Sequence, residues 1–185
     1  MPKLTQVKET KRGRYALFFD GEFAFSLDED TFAMAGLHTG DELEEWQIHD
    51  LQTKSDTRKA VDKAMDLLAL RDHAAGELYQ KLCRSFDPHS AAAAVAKMQE
   101  LNLLDDAGFA RRRAAELLRK RKSRRAILDD LHAKGIDRGA AAEAVEALFA
   151  QSEEDEEENP ELANARALVE RHYAAKLAQG KWQQV

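Results

Sequence analysis

The residues best suited to do chemistry in this chain are cationic. Arg111, Arg112, Arg113, Arg119, Lys120, Arg121, Lys122, Arg124 and Arg125 fall within fifteen positions, interrupted by one carboxylate, Glu116. A helix through this region gives its apolar side to Phe109, Ala110, Ala114, Leu117 and Leu118, so Arg111, Arg112, Arg119 and Lys122 turn to solvent. Arg113 and Arg121 are expected to run partly along the core with their stems buried. Ser123, Arg124 and Arg125 open a second helix, whose free N–H groups add to an anion site. The candidate contacts for a polyanion are therefore Arg111, Arg112, Arg119, Lys120, Lys122, Arg124 and Arg125. DNA phosphate or an acidic protein surface satisfies such a patch. The competing reading is a solvated helix face balanced by the acidic run Glu153 to Glu158. Aromatic residues do not interleave with the cations, which argues against a base-stacking platform for single strands.

Enzyme chemistry finds little support. The six histidines (38, 49, 73, 89, 132 and 172) form no H-x-x-x-H pair. Cys83 is the only cysteine and follows Leu82 in a helical stretch, where an inert, semi-buried thiol is expected. Phosphate-loop, dinucleotide-binding and nucleophile-elbow motifs are missing, and Asp28-Glu-Asp30 lacks the glycine and terminal glutamate of a calcium loop. Asp105-Asp106 resembles a metal pair, yet adjacent residues at a helix start point apart, so capping is the better reading. No catalytic residue, metal site or cofactor is expected.

Charge is unevenly spread around these candidates. The chain has 28 Lys and Arg against 34 Asp and Glu, a net charge of −6. Residues 1–50 carry 5 basic and 11 acidic side chains, residues 105–134 carry 10 and 5, and residues 137–161 carry 1 and 10. A basic module between acidic ones points to a polyanionic or acidic partner that the overall charge conceals. With one cysteine, no disulfide framework is possible and a reducing compartment fits. No run approaches a membrane span and the start has no apolar stretch after its charges, so a cytoplasmic setting without membrane contact is expected.

The elements that must position the cations follow from local chemistry. Leu4–Glu9, Arg14–Phe19 and Glu22–Leu27 read as strands, with Asp20-Gly21 as a type I′ turn and Phe23 and Phe25 on one half-buried face. Asp28 caps a short helix ending near Gly36. From Thr57 the texture is helical: 28 of 32 alanines lie after residue 59. Leu78, Leu82, Phe86, Val95 and Met98 recur at a spacing of 49 to 50 residues as Ile127, Leu131, Ile136, Val145 and Leu148. Asp105-Asp106 and Ser123 cap the next helices, and Lys134-Gly135-Ile136 ends one on a left-handed glycine. The expected fold class is mainly α: an elongated set of tandem three-helix-bundle repeats with a small β-rich N-terminal extension. The expected boundaries are 1–56 for the extension, 57–104 and 105–151 for two repeats, 152–160 for an acidic linker, and 161–185 for the start of an incomplete third repeat.

Several segments together resemble a known family. Ala69-Leu-Arg71-Asp-His73, Glu77-Leu78, Lys81-Leu82, Leu101-Asn-Leu-Leu-Asp-Asp-Ala-Gly-Phe-Ala110 and Leu131-His-Ala-Lys-Gly-Ile136 look like the RecX regulators of bacterial recombinase. The resemblance covers residues 57–150, and the β-rich start is similar to an N-terminal extension that some members carry. It implies tandem three-helix repeats and no enzyme activity or cofactor. It also implies binding to the RecA filament on DNA, with depressed ATP hydrolysis and strand exchange, in recombination, DNA repair and the SOS response. Ala74 departs from the family, which often has Ser there. The rival is a stand-alone binder of single- or double-stranded DNA with helix-turn-helix-like units; another is a scaffold for an acidic protein unrelated to recombination. A monomer is expected.

Overall fold

The structure is a computed structural model that describes residues 1–155 and 160–178 of the 185-residue chain. Three strands come first: β1 (Leu4–Glu9), β2 (Arg14–Phe19) and β3 (Glu22–Asp28), antiparallel and in sequential order. Asp20 and Gly21 take φ of 52° and 87°, the left-handed pair that a two-residue hairpin turn requires. Leu17 pairs with Phe25 but Phe18 pairs with Phe23, so Ala24 is an extra residue in β3. This bulge breaks the expected alternation. Phe25 and Leu27 are buried, whereas Phe23 is 61% exposed and stands edge-on to Phe18.

Eight helices follow among the described residues. α1 (Glu29–Ala35) is capped by Asp28, which accepts the Thr31 N–H at 3.1 Å, and ends at Gly36 with φ 58°. α2 (Glu45–Leu70) begins well before Thr57, where the change of texture sets the expected start of helix. Its start uses Glu44 and Gln47, with Gln47 Oε1 accepting the Glu44 N–H at 2.8 Å. α3 spans Ala75–Leu82, α4 Pro88–Glu100, α5 Asp106–Arg119, α6 Arg124–Ala133, α7 Arg138–Asp155 and α8 Pro160–Ala178. The fold is mainly α with a small N-terminal sheet. No helix among the described residues is long and apolar enough to cross a membrane.

The chain divides into two compact units, residues 1–71 with 78–103, and residues 72–77 with the chain from Leu104 onward. The first unit packs Leu4, Leu17, Phe19, Phe25, Leu27, Leu43 and Leu51 into one core. Arg14 ties its sheet to α2: Nη2 donates to the Ser26 carbonyl at 2.8 Å and to Ser55 Oγ at 3.2 Å, and Ser55 Oγ donates to the same carbonyl at 2.6 Å. Ser55 is fully buried, so this network satisfies groups that would otherwise be costly. α2 packs on α4, and both bury alanines: Ala60 and Ala64 on α2, Ala91 and Ala94 on α4. In the second unit Phe109, Ala110, Ala114, Leu117, Ile127, Leu131, Ile136 and Val145 form the core under α5, α6 and α7.

α7 continues to Asp155, so the first half of the acidic run is helical. Residues 156–159, within the expected linker, lie outside the described residues. So do residues 179–185, where the third repeat is expected to run out. Cys83 corrects its expectation. α3 ends at Leu82, and the cysteine in the turn beyond it is exposed.

Candidate functional site

The basic segment begins with a cap. Asp105 accepts the Gly108 N–H at 2.8 Å and starts α5. Glycine at 108 leaves room for this cap: a Cβ there would lie 1.8 Å from the Asp105 carboxylate and would push it out of place. The adjacent carboxylate points elsewhere: Asp106 Oδ1 accepts the Ala75 N–H at 2.8 Å, at the start of α3. Ala74 has no side-chain cap to offer and is fully buried in the second core, so Asp106 takes the place of the absent serine.

α5 and α6 are joined by a tight turn. Arg121 takes φ 58°, with its N–H bonded to the Leu118 carbonyl at 2.7 Å and the Lys122 N–H to Leu117 at 3.0 Å. This is a left-handed helix end with arginine in place of the usual glycine. Ser123 then caps α6 by accepting the Ala126 N–H at 3.3 Å. Arg113 locks the two helices together. Its Nε and Nη2 donate to the two Asp130 oxygens at 2.8 Å each, and Nη1 donates to Glu116 at 2.9 Å. Such a forked pair is stronger and more directional than a single ion pair. The Arg113 hydrogen bonds hold the Asp130 carboxyl below its ordinary value against the opposing effect of burial, and raise the guanidinium further above its own. Lys120 first, then Arg113, lower Glu116 likewise.

A second polar cluster supports the end of α6. Buried His73 lies 3.1 Å from Glu77, which accepts from Lys134 Nζ at 2.8 Å. Beside it the backbones of Gly76 and Gly135 meet so closely that a Cβ on either would lie 2.7 Å from the other's Cα. Gly135, at φ 80°, ends the helix as expected and returns Ile136 to the core.

All seven candidate residues are exposed, but they divide into two sets. Arg112 pairs with Asp72 at 2.8 Å, Lys120 with Glu116, and Arg124 with Glu146 at 3.4 Å while lying 5.8 Å from the Phe149 ring. Arg111, Arg119, Lys122 and Arg125 have no ion-pair partner among the described residues. Along the sequence the run holds one internal carboxylate, Glu116. Pairing across helices adds Asp72, Asp130 and Glu146, which distance in sequence hides. Arg113 is half-buried as expected, whereas Arg121 is exposed, its Nη1 reaching the Asn164 side chain at 3.4 Å. Among the described residues no group of three or more His, Cys, Asp or Glu is placed to hold a metal.

No protein-family profile matches the chain. It is 31% identical over 180 residues to the regulatory protein RecX of Lactobacillus gasseri, covering 96% of this chain and 65% of that protein. It is 27% identical over 151 residues to the regulatory protein RecX of Caldanaerobacter subterraneus subsp. tengcongensis, covering 81% and 77%. The chain belongs to the RecX family. It spans about half to three quarters of the length of its RecX relatives, for instance 51% of that of Lactobacillus johnsonii. The fold agrees. A crystal structure of a regulatory protein RecX superposes with a TM-score of 0.65 at 21% identity, covering 96% of this chain and 85% of that one. RecX from Lactobacillus salivarius gives 0.54 at 18% identity, covering 66% and 76%. In this RecX chain part of the segments that carry the resemblance meets in the second unit: His73 and Glu77 against Lys134-Gly135, and Asp106 against Ala75. Their first task here is to build the platform under the cations.

Proposed function

We propose that this chain is a non-enzymatic regulator of bacterial recombinase that binds the RecA–DNA filament and lowers its ATP hydrolysis and strand exchange. The observation that carries the reading is the set Arg111, Arg119, Lys122 and Arg125, which has no ion-pair partner among the described residues and is held out by two helices that Arg113 and Asp130 pin together. Cations without internal partners retain their full attraction for phosphate, whereas Arg112, Lys120 and Arg124 must first give up a carboxylate. The protein works in the cytoplasm as a monomer, without cofactor. Its helices form two repeats, 57–104 and 105–151, separated by an acidic linker from a third that starts at 161. Tandem modules on one filament gain affinity from their tether.

The test is recombinase ATPase on single-stranded DNA with the protein added, alongside binding to naked DNA across a salt series. Turnover should fall, and filament binding should survive salt that abolishes binding to naked DNA. Reversing Arg119, Lys122 and Arg125 to glutamate should weaken both kinds of binding and flatten the salt slope for duplex by roughly 0.9 for each phosphate no longer neutralised. Helix content should stay unchanged. Equal affinity for naked DNA and filament at one salt concentration would favour the stand-alone DNA-binding reading. Unchanged turnover at every ratio would remove the recombinase reading.

A further inference from the structure

Three helix ends in this chain close with the same pair of hydrogen bonds, and one of them is built from residues that the turn does not favour. α4 ends with the Asn102 N–H on the Gln99 carbonyl and the Leu103 N–H on Met98, both at 2.9 Å. α6 ends with the Gly135 N–H on His132 at 2.9 Å and the Ile136 N–H on Leu131 at 3.1 Å. α5 ends likewise, with Arg121 on Leu118 at 2.7 Å and Lys122 on Leu117 at 3.0 Å. The central residue is left-handed each time, with φ of 54° at Asn102, 80° at Gly135 and 58° at Arg121. Glycine and asparagine enter this region readily, whereas the Cβ of a long side chain crowds the following carbonyl. An apolar residue ordinarily comes next to pack back on the last turn, and Leu103 and Ile136 occupy that place in the other two. At the end of α5 both places hold cations. The geometry of the turn does not account for Arg121 and Lys122.

What the exchange achieves is visible at the surface. Residues 119–125 are all exposed; six of them are cations and the seventh is Ser123, the cap of α6. Arg121 has no ion-pair partner among the described residues, and its Nη1 donates only a long hydrogen bond, 3.4 Å, to the neutral Asn164 Oδ1. From Leu104 to Lys134 no large apolar side chain is exposed. A protein partner is ordinarily held by a buried aromatic or aliphatic centre inside a polar rim, and this turn offers no such centre. Phosphate oxygens need none, because arginine and lysine bind them at a wet surface. We propose that Arg121 is a phosphate-binding residue, kept in a left-handed turn that presents it and Lys122 to the phosphodiester backbone of nucleic acid. It joins Arg111, Arg119, Lys122 and Arg125, and the proposal rests on the reading of that set as the face that meets DNA.

Binding of a short labelled duplex to the full chain across a low-salt series, paired with denaturant unfolding, tests this. Arg121→Gly should weaken duplex binding about fivefold and flatten the salt slope by roughly 0.9. Its unfolding midpoint should be equal or higher, because glycine suits the turn. Arg121→Gly with Lys122→Ile rebuilds the turn of Gly135 and Ile136 at this place; it should fold and flatten the slope by roughly 1.8. Arg121→Lys should keep the slope, and Asn164→Ala should leave duplex binding unchanged. A slope untouched by Arg121→Gly, with a midpoint that falls as it does for Asn164→Ala, would make Arg121 a tie to α8 and overturn the proposal. So would the lack of any duplex binding by the unaltered chain at low salt. Polyglutamate bound as tightly as the duplex, with the same loss on Arg121→Gly, would overturn it in favour of an acidic protein partner. No recombinase enters these measurements, so unchanged recombinase turnover would remove the filament reading and leave this contact standing.

Discussion

The segment 28–50 and the segment 105–134 are both lopsided in charge, with opposite signs, and the fold treats the two imbalances differently. In the acidic segment the charge is consumed mainly by backbone N–H groups, Asp28 capping α1 and Asp41 accepting from His38, and among the described residues Asp50 alone forms an ion pair, with Lys54. In the basic segment the charge sits on a filled core, and part of it is consumed internally: Arg113 is spent on Asp130, and Arg112, Lys120 and Arg124 each have a carboxylate. The lesson is that a count of like charges overstates what is available to a partner. What remains after internal pairing is the quantity that matters, and among the described residues it is five cations, Arg111, Arg119, Arg121, Lys122 and Arg125, on a braced pair of helices.

The largest effect should come from the close glycine contact at the end of α6. Gly135→Ala would put a Cβ on a residue with φ 80° and drive it to 2.7 Å from Gly76 Cα. Strain and overpacking together should destabilise the protein by roughly 3 kcal/mol, read as a fall in denaturant midpoint with unchanged slope. Next comes the pinned arginine. Arg113→Ala leaves Asp130 without its fork and should cost about 2 kcal/mol, as expected for hydrogen bonds to charged groups.

Acid titration tests the same pair. The carboxyl of Asp130 is held below its ordinary value in the fold, so its contribution is present above about pH 4 and is lost as the pH falls through the lowered value. Asp130→Asn should flatten that part of the stability profile, measured by thermal melts across pH 2 to 5. Asp106→Ala should cost about 1 kcal/mol through the missing cap on α3, with Asp106→Asn retaining part of it. Smallest of all, Lys120→Ala should change stability by less than about 0.5 kcal/mol, because its pair with Glu116 is exposed to water. A large drop there would mean that Lys120 is bound to Glu116 more firmly than an exposed pair should be, and that the paired and unpaired cations differ more than exposure suggests.

Much of this is legible in sequence wherever the signal is local. Asp20-Gly21, Asp28, Asp105, Ser123 and Lys134-Gly135 each act within a few residues of themselves, and each does what its chemistry dictates. The misses come from three sources. α2 starts at Glu45 through a Glu-x-x-Gln arrangement, outside the usual capping residues, so its first turns fall within the expected β-rich extension. The bulge at Ala24 is a property of the pairing between strands, which composition does not encode, and it sends Phe23 outward. Lys120 meets Glu116 four residues away, but Arg112, Arg113 and Arg124 are sorted by partners 17 to 40 residues away, and only the fold brings those together. The absence of Lys and Arg from 28–50 is readable, yet the cation that pairs with Asp50 is Lys54, just outside that window.

Asp105 and Asp106 are neighbours that hold two different helices, one through the Gly108 N–H and one through the Ala75 N–H. This makes the dipeptide a fixed ruler in the history of the chain. Inserting or deleting a residue here would shift one carboxylate off its helix whichever way the loop closed, so length variation among descendants should be purged at 105–106. The hairpin turn at Thr10–Gly13 carries no such double duty and is where insertions should accumulate.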